Sequence, residues 1–376
     1  MNIRNYVANQ WLDSESSSAV FNPATGESIA RVAMASEGDV TRALESAEAA
    51  ASVYGALTIN KRKSLIDCLI AKLKAAEEEI VALLVAETGK TQDIASYDFN
   101  MLVDCLGYYV EEVKRHYGET IPDYDDGHFN FLSFQPIGVV AGVLTWNFPL
   151  LNLGYKLGPA LASGCASVFK ISERTPMSSM RVAELIDEVG FPDGTVHFVC
   201  GSGRVVIPAM AQSRIPRLLT MIGSTQAGKK LIEHSPSSVK RFSLELGGDA
   251  PVLVFPDADL DAAVADIVGL KLANAGQICV APNRVFVHQS IYDVFIEKAT
   301  SLMYLLTSSE VIPTPWSMMC IFFLSLSILI SILGSPISPL TSPILLRISF
   351  MKKLRNLCFI PPPRANTLLI RSWKPH

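Results

Sequence analysis

The apolar residues change period twice along the chain, and each change marks a different architecture. Up to residue 34 the segments are short: strand-like Tyr6-Val7, a turn at Asn22-Pro-Ala-Thr-Gly26 and strand-like Ser28–Val32. Helical spacing then takes over. Ser36-Glu-Gly-Asp39 has the form of a capping box, and Val40, Ala43, Leu44 and Ala47 fall on one helical face. A long helix is predicted over about residues 60–88, with Leu65, Ile66, Leu69, Ile70, Leu73, Ile80, Leu83 and Leu84 as its stripe. Gly89 ends it, where a left-handed residue is wanted. Another helix is predicted over roughly 97–116.

From about residue 131 the rhythm becomes that of buried strands. Gly138–Leu144 and Ala166–Phe169 are near-continuous apolar runs. Helix-like Met177–Val189, strand-like Thr195–Val199, helix-like Val205–Ala211, strand-like Leu218–Ile222 and helix-like Gln226–His234 follow. Strand-like Arg241–Leu244 and Pro251–Phe255 and helix-like Leu260–Ala273 complete the series. Apolar strands alternating with amphipathic helices predict an α/β fold whose parallel sheet is covered on both faces.

The second change comes in the tail. No charged residue occurs between Glu310 and Arg347, and residues 316–333 are apolar enough to be read as a membrane span. The other reading is translation continued in a shifted frame. Loss of every acidic residue, loss of helical periodicity and enrichment in Ser, Leu, Ile and Pro favour that reading, and a membrane partner is not expected. Residues 1–310 hold all 36 Asp and Glu and 25 of the 32 Lys and Arg, so the body is acidic and a nucleic-acid partner is disfavoured.

Seven scattered cysteines show no CxxC or Cys/His ligand spacing, which excludes a disulfide framework and a zinc site; no metal site is expected. The start of the chain lacks the apolar run of a signal peptide, so a reducing cytoplasm is the expected compartment.

Cys279 stands out among the cysteines because of its company. It follows Gly276 in a turn of small residues, and 34 residues upstream the chain reads Leu244-Glu-Leu-Gly-Gly248. A thiolate nucleophile needs a group to handle protons and resolve its adduct, and Glu245 at the end of an apolar strand is a candidate base. A carboxylate there is costly unless it serves a function. Asn147 closes strand 138–144, either as a turn residue or as an amide donor to an oxyanion. Lys170 and Glu173 follow the next strand, either as solvated loop charges or as part of a ligand site at the carboxyl ends of parallel strands. Gly223-Ser-Thr-Gln-Ala-Gly228 follows a strand and opens a helix, a context suited to an anion, with Ser224 as one donor.

Taken in order, Thr145-Trp-Asn-Phe-Pro149, Phe169-Lys-Ile-Ser-Glu-Arg-Thr-Pro176, Gly223–Gly228, Leu244–Gly248 and Gly276-Gln-Ile-Cys279 resemble the NAD(P)-dependent aldehyde dehydrogenase superfamily. The likeness runs over about residues 4–302. It implies an NAD(P)-binding Rossmann-type parallel-sheet domain over 1–245, with an oligomerisation hairpin near 118–137. It also implies the start of an incomplete α/β catalytic domain over 246–302 and an aberrant tail, truncated or frameshifted, over 303–376.

Carried over by position, the resemblance makes Cys279 the nucleophile, Asn147 and the Cys279 N–H the oxyanion donors, and Glu245 the base that activates water. Lys170 and Glu173 would hold the adenosine ribose and Ser224, after Gly223, the pyrophosphate, with Trp146, Leu246 and Gly247 completing the cofactor site. The cofactor is expected to be NAD, with NADP possible, because Glu173 suits a free 2′-hydroxyl. The substrate is a small aldehyde, and Cys279-Val-Ala-Pro-Asn-Arg284 leans toward the succinate-semialdehyde branch. The family forms homodimers or homotetramers, so such an assembly is implied too. A non-catalytic remnant is the alternative.

Overall fold

The computed structural model describes residues 1–122, 129–308 and 369–373. The candidate membrane segment 316–333 lies outside these residues. Among the described residues, no helix is long and apolar enough to cross a membrane. Two compact units are present, Met1–Gly247 and Gly248–His376.

The first unit opens with β1 (Asn2–Ile3), β2 (Asn5–Val7), β3 (Gln10–Leu12), β4 (Ser17–Phe21) and β5 (Ser28–Ala33). Helices α1 (Glu37–Gly55), α2 (Ile59–Ala75), α3 (Glu77–Thr88) and α4 (Gln92–Glu112) follow, then a hairpin of β6 (Glu119–Ile121) and β7 (Asn130–Leu132). The alternating part runs β8 (Val139–Val143), α5 (Pro149–Ser163), β9 (Ala166–Ile171), α6 (Met177–Val189) and β10 (Val196–Cys200). It continues with α7 (Gly203–Gln212), β11 (Pro216–Gly223), α8 (Thr225–Glu233) and β12 (Arg241–Leu246).

Local chemistry explains the boundaries. Ser36 and Asp39 form the expected capping box of α1, and Thr58 and Thr91 cap α2 and α4. The single helix predicted over 60–88 is two helices, because Ala76 leaves helical geometry (φ −104°, ψ 13°) and Glu77, Glu78 and Glu79 place three acids in a new first turn. Gly89 ends α3 in the left-handed region at φ 70°. The next helix starts at Gln92, earlier than expected, because Thr91 accepts from the Ile94 N–H.

The main sheet has the order β12-β11-β8-β9-β10-β2-β3. Strands β12 to β10 are parallel, and β2 joins β10 antiparallel. Every residue of β8, β9 and β10 is buried, as a sheet covered on both faces requires. One face packs Phe169, Ile171, Val196 and Phe198 against α2 to α6; the other packs Val139, Ala141, Val143, Val168, Leu219 and Met221 against α1, α7 and α8.

Helix α5 is absent from the sequence-based expectation. Its prolines and glycines hide it: Pro149 occupies the first turn and Pro159 the interior. Gly154 and Gly158 let α5 approach α4 closely, since added Cβ atoms would lie 2.9 Å from the Leu102 Cα and 3.0 Å from Tyr109.

The second unit contains β13 (Pro251–Val254), α9 (Leu260–Leu272), β14 (Arg284–His288), α10 (Tyr292–Ser308) and β15 (Leu369–Trp373). Its three strands pair in parallel in the order β13-β14-β15. Val254, Val264, Ile267, Val268, Val285, Val287, Phe295, Ala299 and Met303 form its core. Strand β14 and helix α10 also went unpredicted, although Val285 and Val287 alternate with less buried neighbours.

Candidate active site

The order of the main sheet locates a site in the first unit. From β8 the chain moves outward through β9 and β10, then returns to lay β11 and β12 on the other side of β8. The strand order therefore reverses between β8 and β11. In open parallel sheets that reversal opens a crevice at the carboxyl ends of the strands, where ligands bind. Nine of the expected site residues lie at the carboxyl ends of four adjacent strands: Trp146 and Asn147 after β8, Lys170 and Glu173 at and after β9, Gly223 and Ser224 at the end of β11, and Glu245, Leu246 and Gly247 at the end of β12.

Strand register brings the glycine-containing loops together. Ile222 lies opposite Glu245, and Gly223 opposite Leu246. Ser224 caps α8, its Oγ accepting from the Ala227 N–H at 3.2 Å. That bond leaves the hydroxyl hydrogen for a ligand oxygen, beside the amides of the first turn of α8. A side chain at position 228 would make Leu246 shift, because Leu246 Cδ2 lies 2.9 Å from where a Cβ would stand.

The β8 and β9 loops are also joined. Thr175 Oγ1 donates to the Trp146 carbonyl at 3.2 Å, and the Arg174 guanidinium sits 5.7 Å from the Trp146 ring centroid. Asn152 Nδ2 donates to Asn147 Oδ1 at 3.3 Å, which restrains the orientation of that amide. Lys170 is buried, and its Nζ donates to Glu173 Oε2 at 2.8 Å and to the Ile171 carbonyl at 3.0 Å. Burial works to raise the Glu173 carboxyl, but the Lys170 charge and hydrogen bond outweigh it and hold it below the ordinary value. The pair is therefore ionised and rigid, a carboxylate acceptor beside an ammonium.

Glu245 is exposed on the edge strand β12, so the expected cost of a carboxylate on an apolar strand does not arise. A neighbour that the sequence did not reveal is Lys156, inside α5. Burial lowers its pKa, and the charge of Glu245 works in the opposite direction. No motif announces it: it is one lysine within an apolar helix.

Cys279 belongs to the second unit, just past a short 3-10 turn over Ala273–Gly276. Asn274, Ala275 and Gly276 all have positive φ, at 48°, 54° and 73°. Left-handed backbone is costly for alanine, on the order of 1–3 kcal/mol. Local bonds hold it: Gln277 Nε2 donates to the Asn274 carbonyl at 2.9 Å, and the Gln277 N–H to the same oxygen at 3.1 Å. A side chain at Gly276 would be strained by the positive φ and tight against the Lys271 carbonyl, 3.1 Å from a built Cβ. Lys271 is buried, its pKa pushed down by burial to about 8, and its Nζ donates to Asn283 Oδ1 at 3.2 Å. Asn283 Nδ2 in turn donates to the Gly248 carbonyl at 3.3 Å, so both flanks of the cysteine turn are anchored.

Among the described residues, exposure separates Cys279 from three of the other four cysteines. Cys105, Cys165 and Cys200 are buried, and burial pushes the thiols of Cys105 and Cys200 up to about 11 and about 12. Such thiols stay protonated and inert. Cys68 is exposed but lies in mid-helix on α2, whereas Cys279 is exposed in a turn. An open cleft lined in part by Glu48, Ser52, Pro136 and Arg217 lies at the amino ends of β8 and β11, away from all these residues.

A Rossmann-type sheet whose strand order reverses between β8 and β11 is the arrangement at which open α/β proteins bind nucleotides. The aldehyde dehydrogenase family model matches residues 11–310, and the chain belongs to that family. It is 37% identical over 295 residues to a glutarate-semialdehyde dehydrogenase of Pseudomonas putida, covering 78% of this chain and 62% of that protein. It is 36% identical over 294 residues to an NADP(+) succinate-semialdehyde dehydrogenase of Escherichia coli, covering 78% of this chain and 61% of the relative. Among solved structures, a betaine aldehyde dehydrogenase of Staphylococcus aureus in complex with NAD+ superposes with a TM-score of 0.78 at 31% identity, covering 80% of this chain and 62% of that one. The chain thus spans about three fifths of the length of these relatives.

Proposed function

We propose that this chain oxidises a small aldehyde to its carboxylic acid with NAD or NADP, through a thioester on Cys279. The observation that carries the reading is the gathering of nine expected residues at the carboxyl ends of four adjacent strands, at the point where strand order reverses. The residues fit a dinucleotide. The Lys170–Glu173 pair offers an acceptor and a cation for a ribose, and Ser224 with the first turn of α8 offers donors for a phosphate.

The chemistry assigned to each residue balances. The Cys279 thiolate adds to the aldehyde carbon, and the oxyanion that forms is held by the Asn147 amide and the Cys279 N–H. A bound nicotinamide would supply the hydride acceptor for that carbon, and loss of the hydride would leave a thioester on Cys279. Glu245 takes a proton from water, whose oxygen attacks the thioester, and the acid leaves as the thiolate re-forms. Lys156, buried in α5, feels the charge of Glu245, which works against the burial that lowers its own pKa.

A semialdehyde of succinate or glutarate is the substrate class that the relatives support. A second copy of the chain is the partner, docking through the β6–β7 hairpin, whose Ile121, Phe129, Phe131 and Leu132 side chains are all exposed. The test is direct. Purified chain is mixed with NAD+ or NADP+ and succinate semialdehyde or glutarate semialdehyde, and reduced cofactor is followed by absorbance. Turnover that vanishes in Cys279→Ala supports the reading. Binding of NADH without any acid formed would instead make the chain a nucleotide-binding member of its family that does not turn over.

A further inference from the structure

Two helices lead away from the site loops, and neither caps itself. Helix α5 begins at Pro149 directly after Asn147 and Phe148, and α6 begins at Met177 directly after the loop that carries Glu173. The cap residues Phe148 and Pro176 make no side-chain cap bond. The first N–H groups of both helices need acceptors all the same. Those acceptors come from far away in sequence. Glu87, in the last turn of α3, is 3% exposed and accepts from the Met177 N–H at 2.6 Å, from the Ser178 N–H at 3.1 Å and from the Ser178 hydroxyl. Asp98, in α4, accepts from the Leu151 N–H at 2.7 Å through one oxygen and from Lys90 Nζ through the other.

Lys90 completes the arrangement. Its side chain and that of Asp98 are both 0% exposed, and its Nζ lies 3.7 Å from the centroid of the Phe148 ring. A buried ion pair is a costly way to hold a helix start, when a serine at the cap would serve. What the ion pair adds is a link between distant segments. We propose that Glu87, Asp98 and Lys90 are positioning residues, which clamp the amino ends of α5 and α6 to α3 and α4 and so set the Trp146–Asn147 loop and the Glu173 loop as one unit for the cofactor and the oxyanion. The Thr175–Trp146 and Asn152–Asn147 bonds pass the clamp on to the functional groups themselves. Burial lifts the Glu87 carboxyl to about 7 against the pull of its three donors.

This assignment rests on the proposed aldehyde oxidation for its purpose, but its geometry can be tested separately. The full chain is prepared as wild type and as Glu87→Gln, and hydrogen exchange is followed across peptides covering 144–152 and 172–180, alongside NADH titration and thermal unfolding. Glutamine keeps one acceptor oxygen, so its amide N–H groups would face either the Met177 N–H or the Ser178 donors. Exchange in both loops is expected to quicken about tenfold while α1 and β14 keep their protection, and the NADH Kd is expected to rise about tenfold. A lower Tm with unchanged exchange in 144–148 and an unchanged Kd would show a plain helix cap and overturn the proposal. Should Glu87→Gln fail to fold, Ser178→Ala removes one donor only, and the same two loops are expected to loosen about threefold; no change in 144–148 overturns the proposal here too. If wild type binds no NADH, the functional reading falls while the exchange result still decides the clamp.

Discussion

His197 makes the first unit sensitive to acid in a way that can be worked out. It lies on β10 with no exposure, and its Nδ1 accepts from the Ala8 N–H at 3.0 Å. That acceptor role fixes the neutral tautomer with its proton on Nε2, an atom with no partner among the described residues. A second proton would have to sit on Nδ1, facing the Ala8 N–H. Ala8 and Asn9 form the β2–β3 turn, both with positive φ, and Asn9 Oδ1 accepts from the Gly194 N–H just before β10. Protonation of His197 would therefore loosen the edge hairpin from the sheet.

Burial pushes the His197 pKa down from 6.5 to about 4. The unfolded chain takes up a proton near 6.5 and the folded chain only near 4, so the unfolded state gains as pH falls through that window. Stability from the neutral ring is fully present above about 6.5 and lost by about 4. At about 1.4 kcal/mol per unit, the loss is roughly 2 kcal/mol at pH 5 and about 3 kcal/mol at pH 4. Glu87 works in the opposite sense: its carboxyl is lifted from 4.5 to about 7, so its contribution is full below 4.5 and is lost as pH rises through 7. Comparison with a non-titrating variant removes that overlap. His197→Gln keeps an acceptor for Ala8 and carries no charge. Urea unfolding of both proteins at pH 7 and pH 5 should show the wild-type advantage shrinking by about 2 kcal/mol at the lower pH. An advantage that stays constant would refute the buried neutral ring.

Four further outcomes are expected. Asn147→Ala should lower kcat about 100- to 1000-fold with little change in NADH affinity, as loss of an oxyanion donor does, and steady-state kinetics with fluorescence titration will separate the two. Gly154→Ala should destabilise the chain by about 1–3 kcal/mol in urea unfolding, because its Cβ would meet the Leu102 backbone, which cannot rotate away. Glu173→Gln releases Lys170 from its ion pair and should shift the ratio of NAD+ to NADP+ affinities toward NADP+ by about fivefold, the worth of about 1 kcal/mol; an unchanged ratio would place the ribose elsewhere. Phe131→Glu puts a charge on the exposed hairpin and should halve the mass measured by light scattering if a second copy docks there.

The sequence showed most of the alternating elements because their signals are local. Buried strands read as short apolar runs, and Ser36 and Gly89 mark helix ends by chemistry that acts within three or four residues. The limits fall where a distant partner decides. Helix α5 has poor intrinsic propensity; it forms because Gly154 and Gly158 let it pack against α4, about fifty residues earlier. The division between α2 and α3 turns on the backbone of Ala76 and the acids that follow it, in a stretch whose apolar spacing continues unbroken.

The candidate site divides the same way. Residues that would touch a ligand sit on strand ends, and their motifs could be found one at a time, because each loop must satisfy its own turn geometry. Residues that hold those loops together left no such mark. Glu87 and Asp98 read as ordinary acids near helix ends until Met177 and Leu151, separated from them by 90 and 53 positions, are brought to their carboxylates. Lys156 is silent for the same reason, since Glu245, whose charge it feels, lies on β12 far along the chain from α5. A local motif can specify which atoms point at a ligand, but only the packed fold fixes how firmly they are held. A variant that keeps every motif residue and loses Glu87 should therefore fail in binding before it fails in folding.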